Sequence, residues 1–326
     1  MKISLIIPVY NAETTLPATL ESIRTQRYRD FEIIFAEDAG TDGSAAMLEA
    51  FCKNSGLPCK LLRAEKNGGA AAARNRALEA AEGEYLAFAD ADDLMDPSML
   101  ELAATAVEAS DQPVDIVGWD WTLGFNQDGR YMRQADYGTA EEALRDLMGG
   151  TMRWNLWLFL VRRELIERNN SRFLPGSDIG EDMQFMLRAF LHADRVVQLH
   201  ESLYRYNAVS STSISRQFSP EKRAQIETNF REVERCFSGS DFEQKYPDAL
   251  TDLKLYLKRP MLISPDRRDY ETWYSWFPET NVRAKEKAEL PTHTWLLQRM
   301  AARRCWIGVK LYYLLIHKVV YGILYR

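Results

Sequence analysis

At 326 residues, 46% of them hydrophobic, the chain can bury one large core or two modest ones. Its 41 basic and 47 acidic side chains give a net charge of −6 and no basic stripe, which argues against a general nucleic-acid binder. Cys52, Cys59, Cys236 and Cys305 form no CxxC pair, so zinc-knuckle and dithiol patterns are missing and a reducing compartment is expected.

The apolar run Leu5 to Val9 is too short for a signal-peptide core and contains Pro8. No stretch approaches the roughly 20 apolar residues of a spanning helix, so a cytoplasmic location is expected. In chain order, Ile3 to Ile7 reads as a buried strand and Glu13 to Gln26 as a helix. Phe31 to Ala36 is a second strand, Gly43 to Lys53 a second helix, and Cys59 to Arg63 a third strand. An Ala-rich helix over Ala70 to Ala81 leads to a fourth strand, Tyr85 to Ala89. Asp96 reads as the N-cap of the next helix, with Pro97 at its first position. This alternation predicts an α/β fold, a mostly parallel Rossmann-like sheet with helices on both faces and ligands at the carboxyl ends of the strands.

After about residue 110 the alternation breaks. Ile116 to Thr122 reads as a strand, and Asn126 to Gly129 as a turn before another. Trp154 to Val161 is aromatic and apolar, a helix starts near Gly180, and the pattern is helical from Ser219 onward. The expected division is a catalytic domain over 1–215 and a helical region over 216–326.

Three acidic clusters fall at element ends: Glu37-Asp38 after the second strand, Asp90-Ala91-Asp92-Asp93 after the fourth, and Glu181-Asp182 opening the later helix. Carboxylates this close repel and raise one another's pKa, a conflict that a divalent cation removes. Oxygen ligands suit Mg²⁺ or Mn²⁺ with a diphosphate completing the shell. The alternative is a solvated loop whose acids cap the next helix. Pro8-Val9-Tyr10-Asn11 is a strand-ending turn that Pro and Asn favour unaided. At Glu37-Asp38 a carboxylate could accept the imide N–H of uracil or bond a ribose hydroxyl. Asn67-Gly68-Gly69, ahead of Arg74-Asn75, places glycines at a helix N-terminus, a phosphate-favouring arrangement that is not GxGxxG. Otherwise the glycines only break the chain and Arg74 is a surface charge. In the later helix Asp182, Phe185, Met186 and Ala189 share one face, and Glu181, Gln184 and Arg188 another. The first is expected to be buried, which points Asp182 inward at a helix N-terminus whose dipole favours its anion. Such a carboxylate suits a general base; plain N-terminal capping by both acids is the alternative.

Together, Ser4-Leu-Ile-Ile-Pro-Val-Tyr-Asn11, Glu37-Asp38-Ala-Gly-Thr-Asp-Gly-Ser44, Asn67-Gly68 with Ala73-Arg74-Asn75, Gly83 to Asp93, and Gly180-Glu-Asp182 resemble the family 2 glycosyltransferases of GT-A fold, over about residues 1 to 210. The resemblance implies transfer of a sugar from a nucleotide-diphosphate sugar, with UDP the expected nucleotide, to an acceptor hydroxyl with inversion, in bacterial cell-surface glycan synthesis. It puts Pro8, Tyr10, Asn11, Glu37, Asp38, Asn67, Gly68 and Arg74 around the nucleotide, with Asp38 on the base. Asp90 and Asp92 match the DxD, with Asp92 the direct ligand of Mn²⁺ or Mg²⁺, and Asp93 helps hold donor sugar or metal. Asp182 is the catalytic base, with Trp154, Asn155 and Glu181 on the acceptor side. Two departures stand out. Many members have Asp-Asp-Gly-Ser where this chain has Glu37-Asp38-Ala39-Gly40, and some carry a metal-binding His where Tyr206 stands. The QxxRW motif of processive synthases is absent, which implies addition of one sugar. A nucleotide-sugar or glycan-binding protein without catalysis is a rival, disfavoured by retention of Asp92 and Asp182. A nucleotidyltransferase is another, disfavoured because Pro8 to Thr15 has no Lys or Arg.

From Leu290 to Arg326 there is no acid, while Arg299, Arg303, Arg304, Lys310, Lys318 and Arg326 are basic. On a helical wheel from Arg303 the bases cluster on one side, opposite Cys305, Val309, Tyr312, Tyr313, Ile316, Val320 and Ile323. A basic amphipathic end over about 293–326 fits an anionic membrane surface and a lipid-linked glycan acceptor, or else packs on the protein's own core.

Overall fold

The computed structural model describes residues 1–124, 129–207, 219–286 and 292–316. The expected turn Asn126 to Gly129 falls almost wholly outside them. The strands are β1 (Ile3–Val9), β2 (Phe31–Glu37), β3 (Cys59–Arg63), β4 (Tyr85–Phe88), β5 (Leu94–Met95), β6 (Ile116–Leu123), β7 (Arg130–Met132), β8 (Phe159–Arg162) and β9 (Val196–Tyr206). They form one sheet in the order β3-β2-β1-β4-β8-β6-β9-β5, with β7 on β6. β1 to β4 are mutually parallel, and β9 runs parallel to β6. β8 lies antiparallel between β4 and β6. β1 and β2 are almost wholly buried, as near-continuous apolar runs require of parallel strands covered on both faces.

The helices are α1 (Leu16–Arg24), α2 (Ser44–Asn54), α3 (Gly69–Ala80), α4 (Met99–Glu108), α5 (Ala140–Gly149), α6 (Arg163–Arg168), α7 (Glu181–Leu191), α8 (Pro220–Phe237), α9 (Asp241–Lys245), α10 (Ala249–Lys258), α11 (Arg267–Ser275), α12 (Thr280–Arg283), α13 (Thr292–Ala302) and α14 (Trp306–Leu314). Small buried side chains, Ala71, Ala73 and Ala77, let α3 lie against β1 and β2. α4 starts later than expected. Its N-cap is Ser98, and Asp96 closes the preceding turn by accepting from the Ser98 N–H at 2.9 Å. The reason is β5, two residues that pair antiparallel with β9 and hold the chain extended up to Met95.

The chain divides into two compact units, Met1–Leu147 with Met152–Ser238, and Met148–Thr151 with Gly239–Arg326. The first therefore runs past the expected boundary at 215 and takes in α8. The reason is a clamp: Asn229 Nδ2 donates to the carbonyls of Ser177 at 2.8 Å and Ile179 at 2.9 Å, fixing the segment that leads into α7.

The second unit is helical, with Leu253, Leu262, Trp273, Ala301 and Val309 in its core. Its terminal segment is two helices, turned at Arg304 with φ of 55°. Val309, expected on a membrane-facing side, is fully buried in this core.

Candidate active site

The loops after β1 and β2 are tied together by their own polar side chains. The Asp38 N–H donates to the Val9 carbonyl, and Asn11, held at φ 47°, accepts the Thr41 N–H at 2.7 Å. Glu37 is buried and accepts the Gly40 N–H at 2.6 Å, so its carboxylate closes the turn rather than facing a ligand. Pro8 is half-buried beneath this turn, whereas the Tyr10 ring is 52% exposed and offers a face for a base.

Asp38 is also buried. Its Oδ2 accepts the N–H groups of Gly68 and Gly69 at 2.9 and 2.7 Å, its Oδ1 accepts from Arg76 at 3.0 Å, and Asn67 Nδ2 donates to its carbonyl at 3.3 Å. Asp178 Oδ1 accepts the Ala71 N–H at 2.8 Å. The N-terminus of α3, expected to favour phosphate, is therefore already capped by two protein carboxylates. Gly69 makes this possible, because at φ 84° a Cβ would collide with the Asp178 carboxylate. Gly69→Ala is expected to lower stability by about 2–3 kcal/mol, from left-handed strain plus loss of a cap, read as a lower urea midpoint at unchanged slope.

Arg74 is buried, not a surface charge, and it joins two of the acidic clusters. Its Nη2 lies 3.2 Å from Asp90 Oδ1; its Nη1 lies 2.9 Å from Glu181 Oε1 and 3.7 Å from Asp182 Oδ1. The guanidinium sits 5.7 Å from the centre of the Phe173 ring, which stacks on Phe185 of α7 at 4.4 Å. Burial works against its charge, but Asp182, Glu181 and Asp90 outweigh that and raise its pKa further. Glu181, expected on the acceptor side, is committed to this ion pair.

In the β4–β5 loop, Asp90 is about one-third exposed and Asp92 half-buried. Burial and the charge of Asp90 push the Asp92 carboxyl up to about 6. Asp93 is buried and its Oδ1 accepts the Asn207 N–H at 2.7 Å, which anchors the loop to the end of β9. Burial, then Asp90, raise its pKa well above the carboxylate range. The Tyr204 hydroxyl accepts the Asp90 N–H at 3.0 Å. Its ring stacks on Trp157 at 4.5 Å, and Tyr206 stacks on the same indole at 5.5 Å. Tyr206, at the family's histidine position, is thus a packing residue.

No cluster of three metal-ligating side chains occurs among the described residues. Asp90 and Asp92, two carboxylates close together at a strand end, nevertheless fit a hard divalent cation whose remaining ligands come from a diphosphate.

α7 begins at Gly180, held at φ 82°. Both of its expected faces are buried, because Gln184 and Arg188 are covered by α8, where Glu232 pairs with Arg188 at 3.2 Å. Asp182 Oδ2 accepts the Leu156 N–H at 3.4 Å, which sets the Trp154-Asn155 segment beside it. Its Oδ1 is buried with no hydrogen-bond partner, 3.7 Å from Arg74. Burial raises the Asp182 pKa despite Arg74, so the helix dipole does not decide its titration as expected; Glu181 is raised by burial and by Asp182.

One guanidinium thus spans the carboxylates that end β4 and those that open α7. The family profile described as glycosyl transferase family 2 matches residues 4–191. The chain belongs to that family. This family 2 chain is 34% identical over 229 residues to the Escherichia coli (strain K12) glycosyltransferase YibD, covering 66% of this chain and 63% of that one. It is 32% identical to EpsJ of Bacillus subtilis (strain 168), covering 63% and 60%. The match thus spans about three-fifths of the length of these curated relatives. Staphylococcus aureus TarS 1–349 in complex with UDP-GlcNAc has the same fold, with TM-score 0.73 and 20% identity over 98% of this chain and 92% of that chain. The Pyrobaculum calidifontis mannosyltransferase PcManGT, in complex with GDP-Man and Mn²⁺, follows at TM-score 0.58 and 19% identity, over 95% and 84%. These likenesses bear out the GT-A fold and the family.

Sequence reasoning missed Arg76, Asp178 and Tyr204. Only Tyr204 left a signal: Tyr204 and Tyr206 share one side of an alternating strand.

Proposed function

We propose that the protein transfers a sugar from a nucleotide-diphosphate sugar, UDP-linked by preference, to an acceptor hydroxyl in bacterial glycan synthesis, with inversion. The observation that carries this reading is the shared contact of Arg74 with Asp90 and with the Glu181-Asp182 pair, which sets donor-side and acceptor-side carboxylates on one scaffold. Tyr10 stacks on the base, and Asp38 shapes the nucleotide end through Gly68, Gly69 and Arg76.

The Asp182 carboxylate takes the proton of the acceptor hydroxyl as that oxygen forms its bond to the anomeric carbon. The bond from that carbon to the diphosphate breaks on the opposite face. Asp92, with Asp90, would hold a divalent cation, which when bound supplies Lewis-acid stabilisation of leaving-group charge. Arg74 holds Asp182 and Asp90 in register, and Leu156 N–H orients the base. Trp154 and Asn155, next to it, meet the acceptor. The complexes of structurally similar proteins support the donor class: UDP-GlcNAc is bound by TarS, and GDP-Man with Mn²⁺ by PcManGT. The acceptor is a glycan, lipid-linked where the protein sits at the cytoplasmic face of a membrane.

The test is incubation with Mn²⁺ and a panel of nucleotide sugars. Nucleoside diphosphate is the expected product; sugar 1-phosphate would indicate nucleotidyl transfer, and no product with any donor would indicate a binding protein. Asp92→Asn is expected to lower turnover by roughly 10²-fold or more, the scale of losing one preorganised electrostatic group. Its metal titration should shift to higher Mn²⁺ concentration, and an unchanged midpoint would remove Asp92 from the metal site.

A further inference from the structure

Three exposed aliphatic side chains stand in a row on α14: Ile307 at 79%, Leu311 at 61% and Leu315, at the helix edge, at 55%. A spacing of four residues puts them on one side of the helix. The helix is held by its other side. Val309 is fully buried, Lys310 Nζ donates to the Pro265 carbonyl at 2.6 Å, and the Arg304 guanidinium lies 4.1 Å from the Tyr274 ring centre. The row is therefore a ridge of apolar groups turned outward, with no room to roll inward.

Charge selects what covers it. α14 starts after the turn at Arg304, so the bases beside the row are Arg303 and Arg304, which stand in that turn. Arg303 and Arg304 are exposed at the start of α14. No acid occurs from Leu290 to Arg326. An apolar helix face that follows two exposed bases matches the interface of an anionic bilayer, where the aliphatic groups enter the acyl boundary and the bases meet headgroup phosphates. A convex ridge one side chain wide has no concave surround to define a protein partner, whereas a fluid lipid surface closes around it.

We propose that the Ile307–Leu311–Leu315 ridge of α14, with its flanking bases, docks the protein on an anionic lipid surface. This deepens the placement given above and reverses the face that periodicity selects: Val309 packs inward and the exposed aliphatic row carries the contact. The test is flotation of the full chain with phosphatidylcholine vesicles, with and without 30 mol% phosphatidylglycerol, roughly the anionic content at which bases contribute. Wild type should float with the anionic vesicles. Ile307→Ser/Leu311→Ser/Leu315→Ser should cut the bound fraction at least tenfold, and Arg303→Glu/Arg304→Glu should cut it only in anionic vesicles. The triple variant should keep the wild-type thermal midpoint and its release of nucleoside diphosphate in solution. Equal flotation of wild type and triple variant, or no flotation of wild type, overturns the proposal. So does a wild-type dimer that the triple variant converts to monomer without vesicles, since a second copy would then be the occupant. Solution turnover is read separately, so failure of the transferase reading leaves the flotation result interpretable.

Discussion

Asp182→Asn is expected to lower turnover by about 10²- to 10⁴-fold, the contribution of a positioned base, while leaving donor affinity unchanged in calorimetry. The substitution keeps the side-chain shape and the acceptor for the Leu156 N–H, and removes only the lone pair that receives the proton. It is also expected to keep or raise stability at pH 8. Burial holds the folded-state pKa of Asp182 above its ordinary value, so the folded state binds its proton more tightly than the unfolded chain does. For such a group stability falls as pH rises from the unfolded pKa through the raised folded one, and the full penalty is present at pH 8. A neutral amide removes that penalty. Loss of activity together with a large loss of stability would instead mark Asp182 as a structural ion-pair member. In wild type, turnover should fall as pH drops through this raised pKa, because the base works unprotonated.

Arg74→Met has the second large effect. It strips the shared counterion from Asp90, Glu181 and Asp182 and leaves Glu181 and Asp182 buried near one another. Breaking a buried ion pair from one side typically costs about 3–5 kcal/mol, and that is the loss expected at pH 8. The loss should shrink toward pH 5, where Glu181 and Asp182, both already raised, take up protons. Urea titrations at the two pH values measure this directly, and a pH-independent loss would point to packing against Phe173 instead. Arg74→Lys keeps the charge but not the fork that reaches two acids at once, so intermediate stability and poor turnover are expected.

Much of the fold was legible because local signals and tertiary packing agree. The buried runs of β1, β2 and β4, the half-buried β3 and the Ala-rich α3 lie within a residue or two of where periodicity puts them. α1 is shorter than its pattern, since the chain up to Thr15 is bound by loop contacts to Ala12 and Ala91. β5 has only two residues and leaves no periodic trace; it displaces the cap from Asp96 to Ser98.

In the candidate site the clusters were legible as a set, but their internal division was not. Asp38, Asp93 and Asp182 look alike in sequence. Only long-range partners distinguish them: Asp38 caps α3, Asp93 accepts from Asn207 at the end of β9, and Asp182 accepts from Leu156 beside Arg74. Arg74 was assigned to the nucleotide, and its contact with α7 depends on a partner 107 residues away. On α7 the expected face is buried at Phe185, Met186 and Ala189, but α8 also covers the side that periodicity leaves to solvent.

The most direct test of the account is the anomeric configuration of the first-formed product, followed by proton NMR before mutarotation, with water or a glycan as acceptor. Attack by an oxygen that Asp182 deprotonates, opposite the departing diphosphate, predicts a product of inverted configuration. A product that keeps the donor's configuration would contradict it.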